Sequence, residues 1–106
     1  MNLYSDIAEQ GLLGSLINDS NNIEQISAVI SFDSFYYPNH KEIYKHITSV
    51  QASSGVVDII SLSDSLDRSG ILERVGGMVD LSQWAADLAC SSKSAVSAAK
   101  RIAGHS

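Results

Sequence analysis

The chain has 106 residues, 44% of them hydrophobic, which is enough for one domain with a buried core. Its net charge is −5 and its seven basic side chains are scattered among twelve acidic ones, so direct binding to nucleic acid is not expected. The single cysteine excludes an intramolecular disulfide, and the chain shows neither a signal peptide nor an apolar run of about 20 residues, so we expect a soluble cytoplasmic protein.

The first predicted helix begins at a cap formed by Ser5 or Asp6 and ends near Asn18. Asp6 and Glu9 have the spacing of a capping box, in which a side chain three residues into the helix bonds back to the cap. Gly11 and Gly14 lie in mid-helix, where each glycine costs about 1 kcal/mol relative to alanine. We therefore expect another helix to approach closely at these positions.

A turn over residues 19–22 leads into a short second helix that buries Ile23, Ile26 and Ile30. The next segment is rich in aromatic side chains, which most simply form a plug of the core between helices. These side chains belong to Phe32, Phe35, Tyr36 and Tyr37.

Pro38 suits the first turn of a third helix, which continues over residues 41–52 with Ile43, Ile47 and Val50 on one face. A Ser-Ser-Gly sequence ends this helix. Proline is favoured at this place because its missing N–H would have had no partner within the helix.

Asp58 can cap a fourth helix over residues 59–68, whose inward residues include Leu62 and Leu66. Gly70 is suited to the left-handed conformation that often follows a helix.

Gly76 and Gly77 form a turn, since no lysine follows them as a phosphate-binding loop would require. A fifth helix is predicted over about 80–89, with Trp84 in the core rather than at an interface, and a last helix over 95–103. The predicted fold class is all-α: residues 1–106 form a single domain, a compact orthogonal bundle of about six short helices.

No pattern for catalysis or metal binding emerges from the sequence. His40 and His46 stand six residues apart, on different helix faces, and are interpreted as surface or boundary residues. Cys90 follows an apolar helix face and is interpreted as a small buried hydrophobe. Asp64 and Asp67 could pair as acid and base, but solvated surface charge is the simpler interpretation. We predict no catalytic, metal or cofactor site in this chain, and a small enzyme is the least favoured class of function.

Five segments occur in a characteristic order: residues 6–16, 32–36, 40–44, 57–62 and 70–81. Together they resemble the N-terminal domain of DnaB-type replicative DNA helicases, in a divergent member of the family such as a phage or plasmid protein. The residues that specify this fold in the resemblance are Glu9, Gln10, Gly14, Phe35, Tyr36, Asp58, Gly76 and Gly77.

The resemblance implies a non-catalytic assembly and docking domain within a hexameric helicase. Its implied partners are other helicase subunits, primase and, in some systems, a helicase loader. ATP and Mg²⁺ would bind to a separate ATPase domain, which follows a hairpin linker and is absent from residues 1–106. The alternative is a stand-alone phage or plasmid adaptor or inhibitor that binds a host helicase. The candidate protein-contact residues are the basic ones near the end of the chain, namely Lys93, Lys100 and Arg101.

Overall fold

A computed structural model describes residues 3–19, 22–88, 97, 99–100 and 102. This part of the chain is helical and contains no strand, which confirms the all-α class. A 3₁₀ turn lies between the second and third α-helices, and a π-helical segment continues the fifth. In chain order the elements are α1 (Leu3–Asn18), α2 (Asn22–Ser27), the 3₁₀ turn (Phe32–Ser34), α3 (Pro38–Ser54), α4 (Ile59–Arg68), α5 (Gly77–Gln83) and the π segment (Trp84–Leu88).

Helix α1 is the central helix of the bundle. All seven residues over 11–17 are buried, so this half of the helix is enclosed on every side, as expected of a helix that is apolar all round. The helix begins at Leu3, so Ser5 and Asp6 lie within it and the predicted capping box is wrong. Glu9 is 2% exposed, and its carboxylate bonds to a different part of the fold.

The core has the periodicity that the sequence predicts. Ile26, Ile43, Ile47, Leu62 and Leu66 are fully buried. The buried apolar side chains outside α1 and these five are Ile23, Ile30, Phe35, Tyr44, Val57, Val75, Leu81, Trp84, Ala99 and Ile102.

The predicted aromatic plug is mostly wrong. Only Phe35 enters the core, where its ring packs 5.2 Å from that of Tyr44. Tyr36 is 63% exposed, and Phe32 lies at the surface beneath the ammonium group of Lys45. This segment is an irregular connection, so the helical period does not decide which of its side chains point inward.

Helices begin and end close to the predicted positions. Pro38 is the first residue of α3, and Gly55 and Gly70 take left-handed conformations just after α3 and α4. Gly76 and Gly77 also have positive φ angles, of 110° and 74°. Since L side chains rarely adopt such angles, the predicted turn needs glycine here.

The fifth and last helices differ from prediction in part. Helix α5 begins at Gly77, three residues before the predicted start, and its continuation from Trp84 is π-helical. Residues 97, 99, 100 and 102 are helical, while the rest of the predicted last helix lies outside the described residues.

Asp58 caps α4, as predicted: its Oδ1 accepts a hydrogen bond of 2.7 Å from the Ser61 N–H. That backbone bond, followed by a side-chain bond to Ser61, holds the pKa of Asp58 below its ordinary value. Because the folded-state pKa is lowered, the cap stabilises the fold above the unfolded-state pKa, and this contribution is lost as the pH falls through the folded-state pKa.

We therefore expect Asp58→Ala to lower the thermal unfolding midpoint at neutral pH, since the N-terminal N–H groups of α4 lose their acceptor. Asp58→Asn keeps an acceptor but cannot titrate, so it should retain more stability than alanine and show a smaller decline in acid than the parent chain. Unfolding curves followed by circular dichroism between neutral and acidic pH test both expectations. Equal behaviour of the two variants at neutral pH would contradict the capping role.

Candidate functional site

Two separate segments of the chain meet at the carboxylate of Glu9. Its Oε2 accepts a hydrogen bond of 2.8 Å from the Tyr36 N–H, and its Oε1 accepts a longer one, of 3.4 Å, from the Tyr37 N–H. The Nδ1 of His40 lies 2.7 Å from the same Oε1. Glu9 belongs to α1, whereas its three donors lie just before or within the first turn of α3. This buried carboxylate therefore joins the central helix to the start of α3.

The start of α3 has no cap of its own. Tyr37 occupies the N-cap position, and its side chain makes no capping hydrogen bond. The next residue, Pro38, has no N–H. Glu9, from another helix, accepts hydrogen bonds from the two backbone N–H groups that lead into α3, and the positive end of the α3 dipole favours its negative charge. Such an arrangement compensates the cost of burying a carboxylate, because most of its acceptor capacity is used.

His40 is buried, so its interpretation as a surface or boundary residue is wrong. It is 4% exposed, and its ring lies between those of Tyr37 and Trp84, with centroid distances of 5.2 and 5.4 Å. An ionised carboxylate only accepts hydrogen bonds, so Nδ1 of His40 carries the proton that faces Glu9. The tertiary partner of His40 lies 31 residues away in the chain, which is why its helix spacing did not reveal this position.

Gly14 provides the close approach that its mid-helix position predicts. A Cβ atom at residue 14 would clash with the Trp84 carbonyl oxygen and lie 3.1 Å from the Ala85 nitrogen. One turn further along α1, the Asn18 side-chain amide donates to the Ala85 carbonyl. Backbone and side chain together thus hold the π segment against α1. Trp84 is 8% exposed, which confirms its predicted place in the core.

The fold brings some residues of the helicase-like motifs close to one another and leaves others apart. Glu9 and Gly14 both belong to α1, where Glu9 accepts from the Tyr36 N–H and Gly14 lies against the Trp84 backbone, while Asp58 caps a different helix. Sequence reasoning identified Glu9 and His40 separately but missed their pairing. A buried acid and a buried histidine in two helices could have suggested it, although only tertiary packing selects the partners.

The titratable side chains of the described residues are used in pairs that stabilise the fold or lie at the surface. Among them, no three His, Cys, Asp or Glu side chains are placed to bind a metal ion together. His46 is half-buried and bonds through Nδ1 to the Ser65 hydroxyl at 2.8 Å, which links α3 to α4. Asp64 pairs with Arg68 on the exposed side of α4, as expected of surface charge. Cys90 lies outside the described residues.

Seven large apolar side chains remain exposed in the described part of the chain: Ile7, Phe32, Tyr36, Val56, Ile60, Met78 and Val79. Of the predicted contact residues, Lys100 is exposed, whereas Lys93 and Arg101 lie outside the described residues. Within the described part, none of the helices has the length and apolar character needed to cross a membrane. The described surface thus exposes several large apolar side chains, while the Glu9–His40 and His46–Ser65 pairs link helices.

Comparison with known proteins relates this arrangement to one family. The family model described as the DnaB-like helicase N terminal domain matches residues 1–103. A probable replicative DNA helicase of Trieres chinensis is 36% identical over 75 residues, which are 71% of this chain and 16% of that protein. The replicative DNA helicase DnaB of Leifsonia xyli subsp. xyli is 31% identical over 71 residues, which are 67% of this chain and 16% of that protein.

A solved structure shows the same fold. The crystal structure of the N-terminal domain of DnaB helicase from Mycobacterium tuberculosis matches with a TM-score of 0.83 and 26% sequence identity, over 92% of this chain and 70% of that chain. The chain spans about one sixth of the length of these two curated relatives.

Proposed function

Because the chain belongs to the family of DnaB-like helicase N-terminal domains, we propose that it is the non-catalytic assembly and protein-docking domain of a replicative DNA helicase. The observation that supports this proposal most directly is the structural role of the residues in the helicase-like motifs. Glu9 joins α1 to α3, Gly14 admits the π segment and Asp58 caps α4, so these polar and glycine residues build the fold. Exposed aliphatic and aromatic side chains remain for binding to other proteins.

Within this proposal, six copies of the domain form a collar beside the motor ring of the helicase. The collar supports assembly of the ring, and it binds primase and, in some systems, a loader. ATP and Mg²⁺ bind to a separate ATPase domain of the parent protein, which acts in the cytoplasm. The relatives described above are replicative helicases or their domains, and they do not favour the stand-alone adaptor.

A competition experiment tests this function. The purified 106-residue chain is added in excess to helicase and primase from the same cells, and primer synthesis stimulated by the helicase is measured. We expect the chain to reduce this stimulation by occupying primase or helicase subunits, and to hydrolyse no ATP by itself. An unrelated acidic domain of similar size and charge serves as the control. Binding to neither protein, or ATP hydrolysis by the purified chain, would contradict the proposal.

A further inference from the structure

Two of the exposed aliphatic side chains stand four residues apart in the chain, around the start of α4. Ile60 is 71% exposed in the first turn of the helix, and Val56 is 58% exposed in the connection that precedes it. The Ser54 hydroxyl donates to the Val56 carbonyl at 3.0 Å, which holds this connection against the end of α3. Single exposed apolar residues are common, but two large ones this close in the chain make the start of α4 notably apolar.

Acidic side chains continue this surface along α4. Asp64 and Asp67 follow Ile60 at spacings of four and seven residues, which places all three on one face of the helix. Asp58 precedes them in the chain as the N-cap of α4, and Arg68 is the single basic residue of this helix. We call the residues Val56, Asp58, Ile60, Asp64 and Asp67 the α4 face. It is apolar at one end and negatively charged over the rest.

A groove lies beside the α4 face and shares Asp64 with it. It has a volume of about 470 Å³ and runs between the second half of α3 and α4. Most of its lining residues are serines from the two helices and from Ser69 just after α4, and the charged side chains of Asp64 and Arg68 line it as well. The stretch from Ser61 to Ser69 is about 12 Å long at the rise of an α-helix. Small side chains over this length let a partner helix come close, although it is the α4 face that selects the partner.

We infer that the α4 face binds a cationic amphipathic helix of a partner protein, an inference that rests on the proposed docking function. One apolar residue of that helix packs on Val56 and Ile60, and Lys or Arg residues one and two turns further meet Asp64 and Asp67. The negative charge of the face selects a cationic partner. The face has three acidic residues, and the one nearby basic residue, Arg68, is already paired with Asp64. A second copy of this acidic chain is disfavoured, because its net charge is −5.

Nuclear magnetic resonance of the isotope-labelled 106-residue chain tests this inference. The probe is a synthetic helical peptide of about 18 residues made of leucine and lysine, with the leucines along one face. A scrambled peptide of the same composition is the control for charge alone. We expect amide shifts to concentrate over residues 56–69, and the scrambled peptide to bind about tenfold more weakly.

Variants of the chain supply the matched controls. Ile60→Ser and Asp67→Lys should each weaken peptide binding by about fivefold, because they remove an apolar contact and reverse an attraction. Val79→Ser and Glu24→Lys make the same chemical changes at exposed positions of α5 and α2, and should leave affinity within about twofold. All four positions are exposed, so unchanged unfolding midpoints should accompany the binding data.

The inference is overturned if the peptide does not bind, if the shifts spread over the whole acidic surface, or if Val79→Ser weakens binding as much as Ile60→Ser. Such a result alongside successful competition for primase or helicase would leave the proposed function standing. Peptide shifts confined to the α4 face, in a chain that competes for neither protein, would instead overturn the proposed function while supporting the inference about the face.

Discussion

Replacing Glu9 with leucine should lower the free energy of unfolding by about 3–5 kcal/mol, since removing one member of a buried hydrogen-bonded pair leaves the other without compensation. Glutamate and leucine side chains have similar volumes, so the loss of stability comes mainly from hydrogen-bond donors that no longer have an acceptor. The N–H groups of Tyr36 and Tyr37 and the Nδ1 of His40 would all remain in the interior without the carboxylate that now accepts from them. Denaturation by urea, followed by circular dichroism at neutral pH, measures the difference.

Two further variants separate this effect from a general loss of charge. Glu9→Gln keeps an amide oxygen as acceptor and should lose less than leucine, whereas Glu24→Gln on the exposed side of α2 should change stability by less than about 0.5 kcal/mol. The double variant Glu9→Leu with His40→Leu should lose less than the sum of the single variants, because neither partner is left unpaired. A Glu9→Leu chain within about 1 kcal/mol of the parent would refute the role of this carboxylate.

Replacing Gly14 with alanine should destabilise the domain by about 2 kcal/mol, although alanine is the better helix former by about 1 kcal/mol. The added methyl group would meet the carbonyl oxygen of Trp84, which is backbone and cannot move aside as a flexible side chain can. Relief requires α1 and the π segment to separate. Such a shift would also strain the hydrogen bond from Asn18 to Ala85.

The single tryptophan of the chain reports directly on this contact. We expect Gly14→Ala to change the emission of Trp84, because the segment that carries it must move. Gly55→Ala is the matched control: a Cβ at residue 55 meets nothing within 4 Å, so its cost comes only from the positive φ of 78° and should leave the emission unchanged. The prediction would be contradicted if Gly14→Ala were more stable than the parent chain and its fluorescence were unchanged, since the bundle would then accommodate the methyl group without moving.

These two positions also show why family membership and structural role can be inferred from the same residues. Glu9 and Gly14 belong to the motif in the first helix that resembles the replicative helicases. In the fold, one joins α1 to α3 and the other admits the π segment. Residues with such roles are informative about the fold, whereas the partners of the domain depend on its exposed side chains.

Local features of the fold were predictable from the sequence because their causes are local. Asp58 caps the helix that begins next to it, Pro38 opens α3, and Gly70 closes the turn after α4. Each depends on the conformational preference of one residue and on hydrogen bonds to near neighbours. Apolar spacing similarly identified Ile43 and Leu62 as inward, since a helix repeats every 3.6 residues.

Local preferences in the sequence therefore predict the all-helical class, most helix ends and the buried face of the regular helices. Three other features follow from packing between helices: Glu9 accepts from residues 27 to 31 positions away, His40 is buried, and Tyr36 faces outward while Phe35 faces the core. The physical reason is that these choices depend on which helices lie beside each other. A carboxylate is buried at low cost only where hydrogen-bond donors from another segment converge on it. The local preferences of the residues do not specify which segment supplies those donors.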